Sequence, residues 1–261
     1  MNKILLEVIP REVNTLLNEV SYVKNSYSQI SGINIPDLLR FETRSWEAAV
    51  AVKSVFSNVI PHIRAIDFDI NNCDPIINFL RENQISSVVV IKGDPPADMS
   101  KKVFPTTSIK LIKKLKKEIP SLKVYAAVDQ YRAGIRDEFD YIEMKKDAGA
   151  DGFLTQPFFD LRLIDIFTEK LHGTEVYIGI SPVITEKSQS YWESRNRAYF
   201  PKDFKLTMDW NTSFAKDVIG YCKKNGLNTY LMPIRINIEE YLGSLFGPDT
   251  TPSAGKVNVC K

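Results

Sequence analysis

Cysteine and histidine are scarce in this chain, whose 261 residues include three cysteines and two histidines. The cysteines (Cys73, Cys222 and Cys260) show no Cys-x-x-Cys spacing, so the sequence predicts neither a disulfide framework nor a zinc site. With only His62 and His172, a histidine-rich metal centre is excluded. Unpaired cysteines fit a reducing compartment, and we expect the protein in the cytoplasm.

An excess of one charge is also missing, because 34 basic residues nearly balance 32 acidic ones. This balance predicts no nucleic-acid or membrane-surface partner. No apolar run approaches the length of a membrane span, and a strand-like run begins at Lys3, so we expect no signal peptide. The lysines between 110 and 117 alternate with leucine and isoleucine, which indicates the solvated face of an amphipathic helix.

Several catalytic motifs are absent. The chain contains no HExxH motif, no Walker loop and no legible Ser-His-Asp arrangement, so hydrolase and kinase functions have little support. It also lacks a GxGxxG turn, which weighs against the structural alternative of a doubly wound open sheet.

What the sequence does contain is a series of short apolar runs, each followed by a helix-like segment. The predicted strands are Ile4–Ile9, Gln29–Ile35, His62–Asp67, Ser87–Ile91, Lys123–Val128, Gly152–Thr155, Val176–Ile180 and Thr229–Met232. Eight such units predict an α/β fold, a single-domain (β/α)8 TIM barrel over residues 1–246. Residues 247–261 are rich in turn formers, and we expect a poorly ordered C-terminal tail.

Two helices and one long loop are clear from local signals. Asp137–Ala148 and Phe214–Asn225 each precede a glycine, as helices commonly do at their C-terminal ends. Arg195–Asn211 has several aromatic residues and no periodicity, so it predicts an inserted loop. Its aromatic residues and their neighbours suggest either a docking surface or packing over the barrel mouth.

Five polar residues lie near the carboxyl ends of predicted strands: Glu7, Asp67, Asp94, Asp129 and Gln156. In a (β/α)8 barrel this end carries the chemistry, although a strand-end carboxylate can also merely cap the next helix. Glu7 has apolar neighbours on both sides, so burial is expected to raise its pKa into the range of a general acid. Its structural alternative is an ion pair with a base such as Arg64.

Asp94 and Gln156 suggest ligand contacts. Asp94 follows Gly93 and precedes two prolines, giving a rigid loop whose backbone can approach a ligand closely, although the same residues also form a good turn. The amide of Gln156 offers one donor and one acceptor face to a flat heterocycle. His62 by itself is more typical of a structural histidine.

Seven segments with these residues, in this order, resemble the methylenetetrahydrofolate reductase family of flavin-dependent (β/α)8 enzymes. They are Leu6–Pro10, Pro61–Asp67, Val90–Pro96, Lys145–Ala150, Thr155–Asp160, Gly179–Val183 and the stretch around Asn225–Leu227. The resemblance extends from residue 4 to about residue 245. It implies transfer of hydride from NAD(P)H, via FAD, to 5,10-methylenetetrahydrofolate or a related pterin carrier of one-carbon units.

The resemblance also implies residue roles. Glu7 corresponds to the general acid that helps open the methylene bridge, and Asp94 to a catalytic residue that contacts the pterin. Gln156 corresponds to a pterin-binding amide, and Arg235 is a candidate for a substrate-binding arginine.

The expected flavin site is formed by other positions. These are His62, Lys92, Gly93 and Lys145, of which Lys92 stands where the family has arginine.

Three segments depart from the family pattern, and all three bear on cofactor contacts. The family's Tyr-Pro-Glu-Val-His-Pro run after strand five is replaced by the shorter Val128–Gly134. The turn after strand two reads Ile35–Leu38, and a stacking phenylalanine is replaced near Thr185–Lys187. These departures suggest as alternatives a flavin-free reductase or a folate-binding subunit that depends on a methyltransferase or redox partner. A homo-oligomer and a paralogue with another substrate also remain open.

Overall fold

The computed structural model describes residues 2–96 and 101–247, in which eight parallel strands close into a barrel in chain order. The strands are β1 Ile4–Glu7, β2 Gly32–Ile35, β3 Val59–Arg64, β4 Ser87–Ile91, β5 Lys123–Val128, β6 Gly152–Pro157, β7 Glu175–Ile180 and β8 Asn228–Leu231. The helices are α1 Val13–Ser26, α2 Ser45–Val52, α3 Asp74–Glu82, α4 Ser108–Glu118, α5 Ile135–Asp147, α6 Leu161–Lys170, α7 Glu186–Asn196, α8 Met208–Lys224 and α9 Ile238–Phe246. The predicted single-domain (β/α)8 barrel is confirmed. The predicted tail beyond Gly247 lies outside the described residues.

The third strand differs most from its prediction. β3 ends at Arg64, and Ala65–Asp67 forms a 3-10 turn, so His62 lies inside the strand instead of opening it. Pro61 lacks a backbone N–H and therefore suggests a strand boundary in a sequence. The register nevertheless pairs Pro61 with Ile35 of β2, within the sheet.

The predicted loop Arg195–Asn211 is shorter in the structure. Its first two residues end α7, and its last four begin α8, leaving 197–207 as the connection. Phe200 packs on Phe159 with ring centroids 4.4 Å apart, and Phe204 packs on Phe200 at 4.5 Å. Much of the aromatic stretch therefore packs on the segment that follows β6.

The core has two layers, as expected for side chains that alternate across barrel strands. Inside the barrel, eight buried side chains form one cluster: Leu5, Ile60, Val89, Tyr125, Leu154, Tyr177, Tyr230 and Met232. A larger apolar shell fills the space between strands and helices. The lysine-rich α4 follows its prediction, since it buries Leu111, Ile112 and Leu115 toward this shell.

Charged residues close the amino end of the barrel. Glu175 pairs with Lys3 at 3.0 Å and also with Lys123, and it accepts a hydrogen bond from Tyr125 at 3.0 Å. Burial opposes ionisation of Glu175, but the two lysines outweigh it and lower its pKa to about 2. These ion pairs and hydrogen bonds stabilise the amino end of the barrel, so a ligand-binding site is expected at the carboxyl end. Within the described ranges, no helix combines the length and apolarity needed to cross a membrane.

Candidate active site at the carboxyl end of the barrel

Two adjoining cavities open at the carboxyl end of the strands. The smaller has a volume of about 270 Å³ and contains Glu7, and the larger has a volume of about 480 Å³. The residues that line both are His62, Ile91, Ala127, Gln156 and Asn196. Their combined size suits a small organic ligand.

Glu7 is the last residue of β1 and points into the smaller cavity. Burial raises the pKa of its carboxyl to about 7, although a hydrogen bond with Tyr230 lowers it in part. The structural alternative from the sequence was an ion pair with a base such as Arg64, and within the described part of the chain Glu7 forms no ion pair with Arg64. Arg64 instead donates to Asp67 at 3.1 Å and to the carbonyl of Asp94 at 2.6 Å.

Two residues that the sequence did not single out, Asn34 and Tyr230, connect Glu7 to His62. The Tyr230 hydroxyl contacts the Glu7 carboxyl and lies 2.7 Å from Asn34 Oδ1. His62 Nε2 lies 2.7 Å from the same Oδ1. Burial lowers the pKa of His62 to about 4, so its imidazole is neutral near pH 7. A polar residue late in an apolar barrel strand was the available signal for both Asn34 and Tyr230.

Gln156 lies where β6 ends and its register with β7 shifts. The backbone carbonyl of Gln156 accepts hydrogen bonds from the side-chain amide of Gln130 at 2.9 Å and from the Thr155 hydroxyl at 2.8 Å. The Thr155 hydroxyl also accepts from the N–H of Gly179 at 2.8 Å. These bonds fix the backbone, so that the Gln156 amide lines both cavities.

Gly179 permits this close approach of β6 and β7. A Cβ at this position would lie 2.6 Å from the Thr155 carbonyl oxygen and 2.8 Å from that of Gln156. We expect Gly179→Ala to lower the free energy of unfolding by about 1–3 kcal/mol, since the backbone cannot move aside freely. Urea unfolding followed by circular dichroism measures this change.

Gly220→Ala is the matched control for Gly179→Ala. A Cβ on Gly220, inside α8, lies more than 4 Å from every other atom considered in residues 2–96 and 101–247, so alanine there should raise the free energy of unfolding by about 0.5–1 kcal/mol. Equal effects of the two substitutions would contradict the steric explanation.

Asp94 lies in the loop that follows β4. Its side chain and that of Lys92 line the larger cavity, which does not include Glu7. Gly93 has φ +82°, and Arg64 fixes the loop through the Asp94 carbonyl. The structure therefore brings together Glu7 and Gln156, and it places Asp94 in the adjoining cavity.

Arg235 lies at the rim of the smaller cavity with its guanidinium 5.4 Å from the ring centre of Tyr191. Its φ of +59° is unusual for a residue with a side chain. An exposed arginine at this rim is available to an anionic part of a ligand.

The two remaining strand-end carboxylates have structural roles. Asp67 pairs with Arg44 at 2.5 Å and with Arg64 at 3.1 Å. Asp129 accepts from the N–H of Tyr131 at 3.2 Å and so stabilises the turn after β5. Neither carboxylate caps the next helix as the alternative from the sequence expected, because Cys73 and Gly134 are the N-cap residues of α3 and α5.

Lys145 is buried beside the larger cavity and is held by two acceptors. Its ammonium lies 2.6 Å from the Ala127 carbonyl and 3.3 Å from Glu138, which also pairs with Arg132 at 2.5 Å. Burial lowers the pKa of Lys145 to about 8, and Glu138 opposes this shift. The charge of Lys145 is thus largely compensated within the protein.

The larger cavity is nevertheless positively charged at its rim. Lys92, Arg195 and Arg197 line it together with Asp94 and Asp129. The side-chain amide nitrogen of Asn196, at the boundary of the two cavities, is buried and has no hydrogen-bond partner among the residues that the structure describes. This donor set suits an anionic group, such as a diphosphate, with a polar ring system nearby.

Comparison with known proteins identifies relatives of the chain. The family model described as methylenetetrahydrofolate reductase matches residues 16–210, a range that contains His62, Asp94, Lys145 and Gln156 but not Glu7. The 5,10-methylenetetrahydrofolate reductase of Buchnera aphidicola is 26% identical over 147 residues, which cover 54% of this chain and 50% of the relative. The chain thus spans about half the length of this relative.

Solved structures share the fold. An uncharacterized protein from Clostridium thermocellum that binds two copies of 5-methyl-5,6,7,8-tetrahydrofolic acid matches with a TM-score of 0.64 and 13% identity, over 94% of this chain and 93% of that one. Oxaloacetate acetylhydrolase matches with a TM-score of 0.57 and 10% identity, over 89% and 75%. Barrels of different function are therefore similar to this one, and the site must decide the function.

Proposed function

The chain belongs to the methylenetetrahydrofolate reductase family, and from this premise we propose that it reduces 5,10-methylenetetrahydrofolate or a related pterin carrier to the methyl form, with NAD(P)H as hydride source. The observation that carries the proposal is Glu7, a buried carboxyl at the carboxyl end of the barrel with a pKa raised to about 7. A carboxyl with this pKa can hold and donate a proton at neutral pH.

The residues of the smaller cavity have complementary tasks in this proposal. Glu7 protonates the nitrogen from which the methylene bridge opens, which leaves an electrophilic iminium. The Gln156 amide binds the donor and acceptor edge of the pterin. Arg235, at the rim, binds a carboxylate of the substrate tail. The apolar walls, including Leu154, Trp192 and Met232, exclude water from the reacting carbon.

The larger cavity fits the anionic part of a redox cofactor. Lys92, Arg195 and Arg197 would hold a diphosphate, Gly93 allows close backbone approach, and His62 lies where the two cavities meet. These residues do not distinguish FAD from a nicotinamide dinucleotide. A flavin or nicotinamide bound there supplies the hydride.

A second candidate function is folate binding without independent turnover, either as a flavin-free protein or as the subunit of a methyl-transfer system. The observation that favours it is the commitment of Lys145, the expected flavin contact, to Ala127 and Glu138. The departures after β5 also lie beside this lysine. The Clostridium thermocellum protein, which binds a reduced folate, supports folate as the ligand class in both candidates.

The test combines binding with turnover. Purified protein is titrated with 5-methyltetrahydrofolate by calorimetry and is then incubated with 5,10-methylenetetrahydrofolate and NADH or NADPH, with and without FAD. Formation of 5-methyltetrahydrofolate, detected by mass spectrometry, supports the reductase. Binding without product in every combination supports the second candidate, and absence of both contradicts the two proposals. A visible absorbance spectrum of the untagged protein decides whether a flavin co-purifies.

A further inference from the structure

We propose that Asn34 is a positioning residue that keeps the proton on Glu7 by way of Tyr230, because the hydrogen-bond chain formed by these three side chains is complete only when the carboxyl is protonated. The inference rests on the proposed function, since it explains how the proposed general acid, Glu7, retains its proton near neutral pH. It rests on atoms of four neighbouring strands, β8, β1, β2 and β3, which contribute Tyr230, Glu7, Asn34 and His62 in turn.

The orientation of the Asn34 amide is the first step. Its Nδ2 donates to the carbonyl of Ile60 at 2.9 Å, so Oδ1 is the atom that faces Tyr230 and His62. An amide oxygen only accepts hydrogen bonds. His62 must therefore donate through Nε2, and its neutral form carries the proton on that nitrogen. Asn34 is fully buried, so water cannot replace these partners.

The second step is a count of protons. Two oxygen–oxygen contacts are present, one between Glu7 and Tyr230 and one between Tyr230 and Asn34 Oδ1, and each needs a proton. Asn34 Oδ1 has none to give, and Tyr230 has one. The Tyr230 hydroxyl does not ionise near neutrality, because burial and the neighbouring Glu7 raise its pKa well above the ordinary value.

The second proton must then come from Glu7. In the complete chain the Glu7 carboxyl donates to Tyr230, and Tyr230 donates to Asn34. If Glu7 ionises, Tyr230 turns to the carboxylate, and its oxygen is left against Asn34 Oδ1 at 2.7 Å with no proton between them. Asn34 thus destabilises the ionised form through Tyr230, in addition to the effect of burial.

The other ionisable groups near Glu7 do not account for retention of its proton. Those that line the same cavity are Arg40, His62, Tyr191, Tyr230 and Arg235. The two arginines favour ionised Glu7, but both are exposed on the rim, where solvent weakens their effect. His62 is neutral at pH 7, because burial lowers its pKa to about 4 although Asp37 opposes this shift.

The hydrogen-bond chain predicts that substitutions of Asn34 and Tyr230 shift the titration midpoint of Glu7 in opposite directions. Asn34→Ala frees Tyr230 to donate to the carboxylate, so the titration midpoint of Glu7 should fall by about one pH unit, the equivalent of one hydrogen bond. Tyr230→Phe removes the donor that stabilises the carboxylate, so the midpoint should rise. A merely structural role would not give opposite signs.

The measurement is a carbon-13 NMR titration of protein labelled at the glutamate carboxyl carbon. Glu7→Gln identifies the resonance by removing it. In the double variant Asn34→Ala/Tyr230→Phe, the midpoint should match that of Tyr230→Phe, since the effect of Asn34 passes through the phenol. If Asn34→Ala does not fold, the wild-type midpoint and the direction of the Tyr230→Phe shift still test the proposal.

Three results would overturn the inference: a wild-type midpoint near the ordinary value of 4.5, shifts of the same sign in the two single variants, or a fall in the midpoint of Tyr230→Phe. The titration needs no substrate and no cofactor. If Glu7 titrates near its ordinary pKa, the proposed hydrogen-bond chain is contradicted even if the reductase is active. If Glu7 titrates as expected but the protein shows no turnover, only the proposed function is contradicted.

Discussion

Glu7→Gln should reduce turnover by about 10²- to 10⁴-fold, the usual contribution of a positioned general acid, while binding of reduced folate persists. Glutamine preserves the size of the side chain and can donate to Tyr230 as the protonated carboxyl does, so the cavity keeps its shape. The loss should therefore appear in kcat and not in the Kd for 5-methyltetrahydrofolate. Product formation and calorimetric binding measure the two effects separately.

The pH profile sharpens this test. In the proposed reaction Glu7 acts in its protonated form, so wild-type turnover should fall as pH rises through about 7. The residual rate of Glu7→Gln should lack this fall. Glu82→Gln, an exposed substitution at the end of α3, is the control and should leave rate and profile unchanged. Near-wild-type turnover of Glu7→Gln would show that another group supplies the proton.

Stability should depend on the same carboxyl and should change with pH in the same direction as turnover. The pKa of Glu7 is higher in the folded protein than the ordinary value of 4.5, so its contribution to stability is complete below that value. It is lost as pH rises through about 7. The thermal midpoint of the wild type should fall more than that of Glu7→Gln between pH 5 and pH 8.

Glu138→Ala should lower the free energy of unfolding by about 3–5 kcal/mol, the usual cost of breaking a buried ion pair. Glu138 and Lys145 are 1% and 3% exposed, and removal of the acid leaves a buried ammonium without its anion. The same carboxylate also pairs with Arg132 and accepts from the N–H of Asp129, so the loop after β5 loses an anchor. Urea unfolding followed by circular dichroism measures the change.

Glu143→Ala provides the matched control on the same helix. Glu143 pairs with Lys146 at 3.1 Å and with Lys170 at 3.0 Å, but these pairs lie at the surface. Surface pairs contribute little to stability, so its unfolding midpoint should hardly move. If both variants unfold at the same urea concentration, the buried pair of Glu138 and Lys145 is not what stabilises this loop.

The location of a residue in the candidate site could be predicted from the sequence when the residue stands at the carboxyl end of its own strand. Glu7 stands at the end of an apolar run, and any strand that enters a barrel buries such a residue. Gln156 is similar, since β6 delivers it to the mouth. Asp94 was less predictable, because the loop after β4 turns it into the larger cavity and not toward Glu7.

The sequence by itself determined the barrel, since eight alternating strand and helix patterns have few other ways to bury their apolar faces. It also indicated the burial of the Glu7 carboxyl, because apolar neighbours on both sides are local information. Only the tertiary structure decided what surrounds that acid. Tyr230 is 223 residues away from Glu7 along the chain, and Asn34 and His62 come from two further strands. Closure of the barrel pairs the last strand, β8, with the first, β1, and this pairing places the Tyr230 hydroxyl against the Glu7 carboxyl.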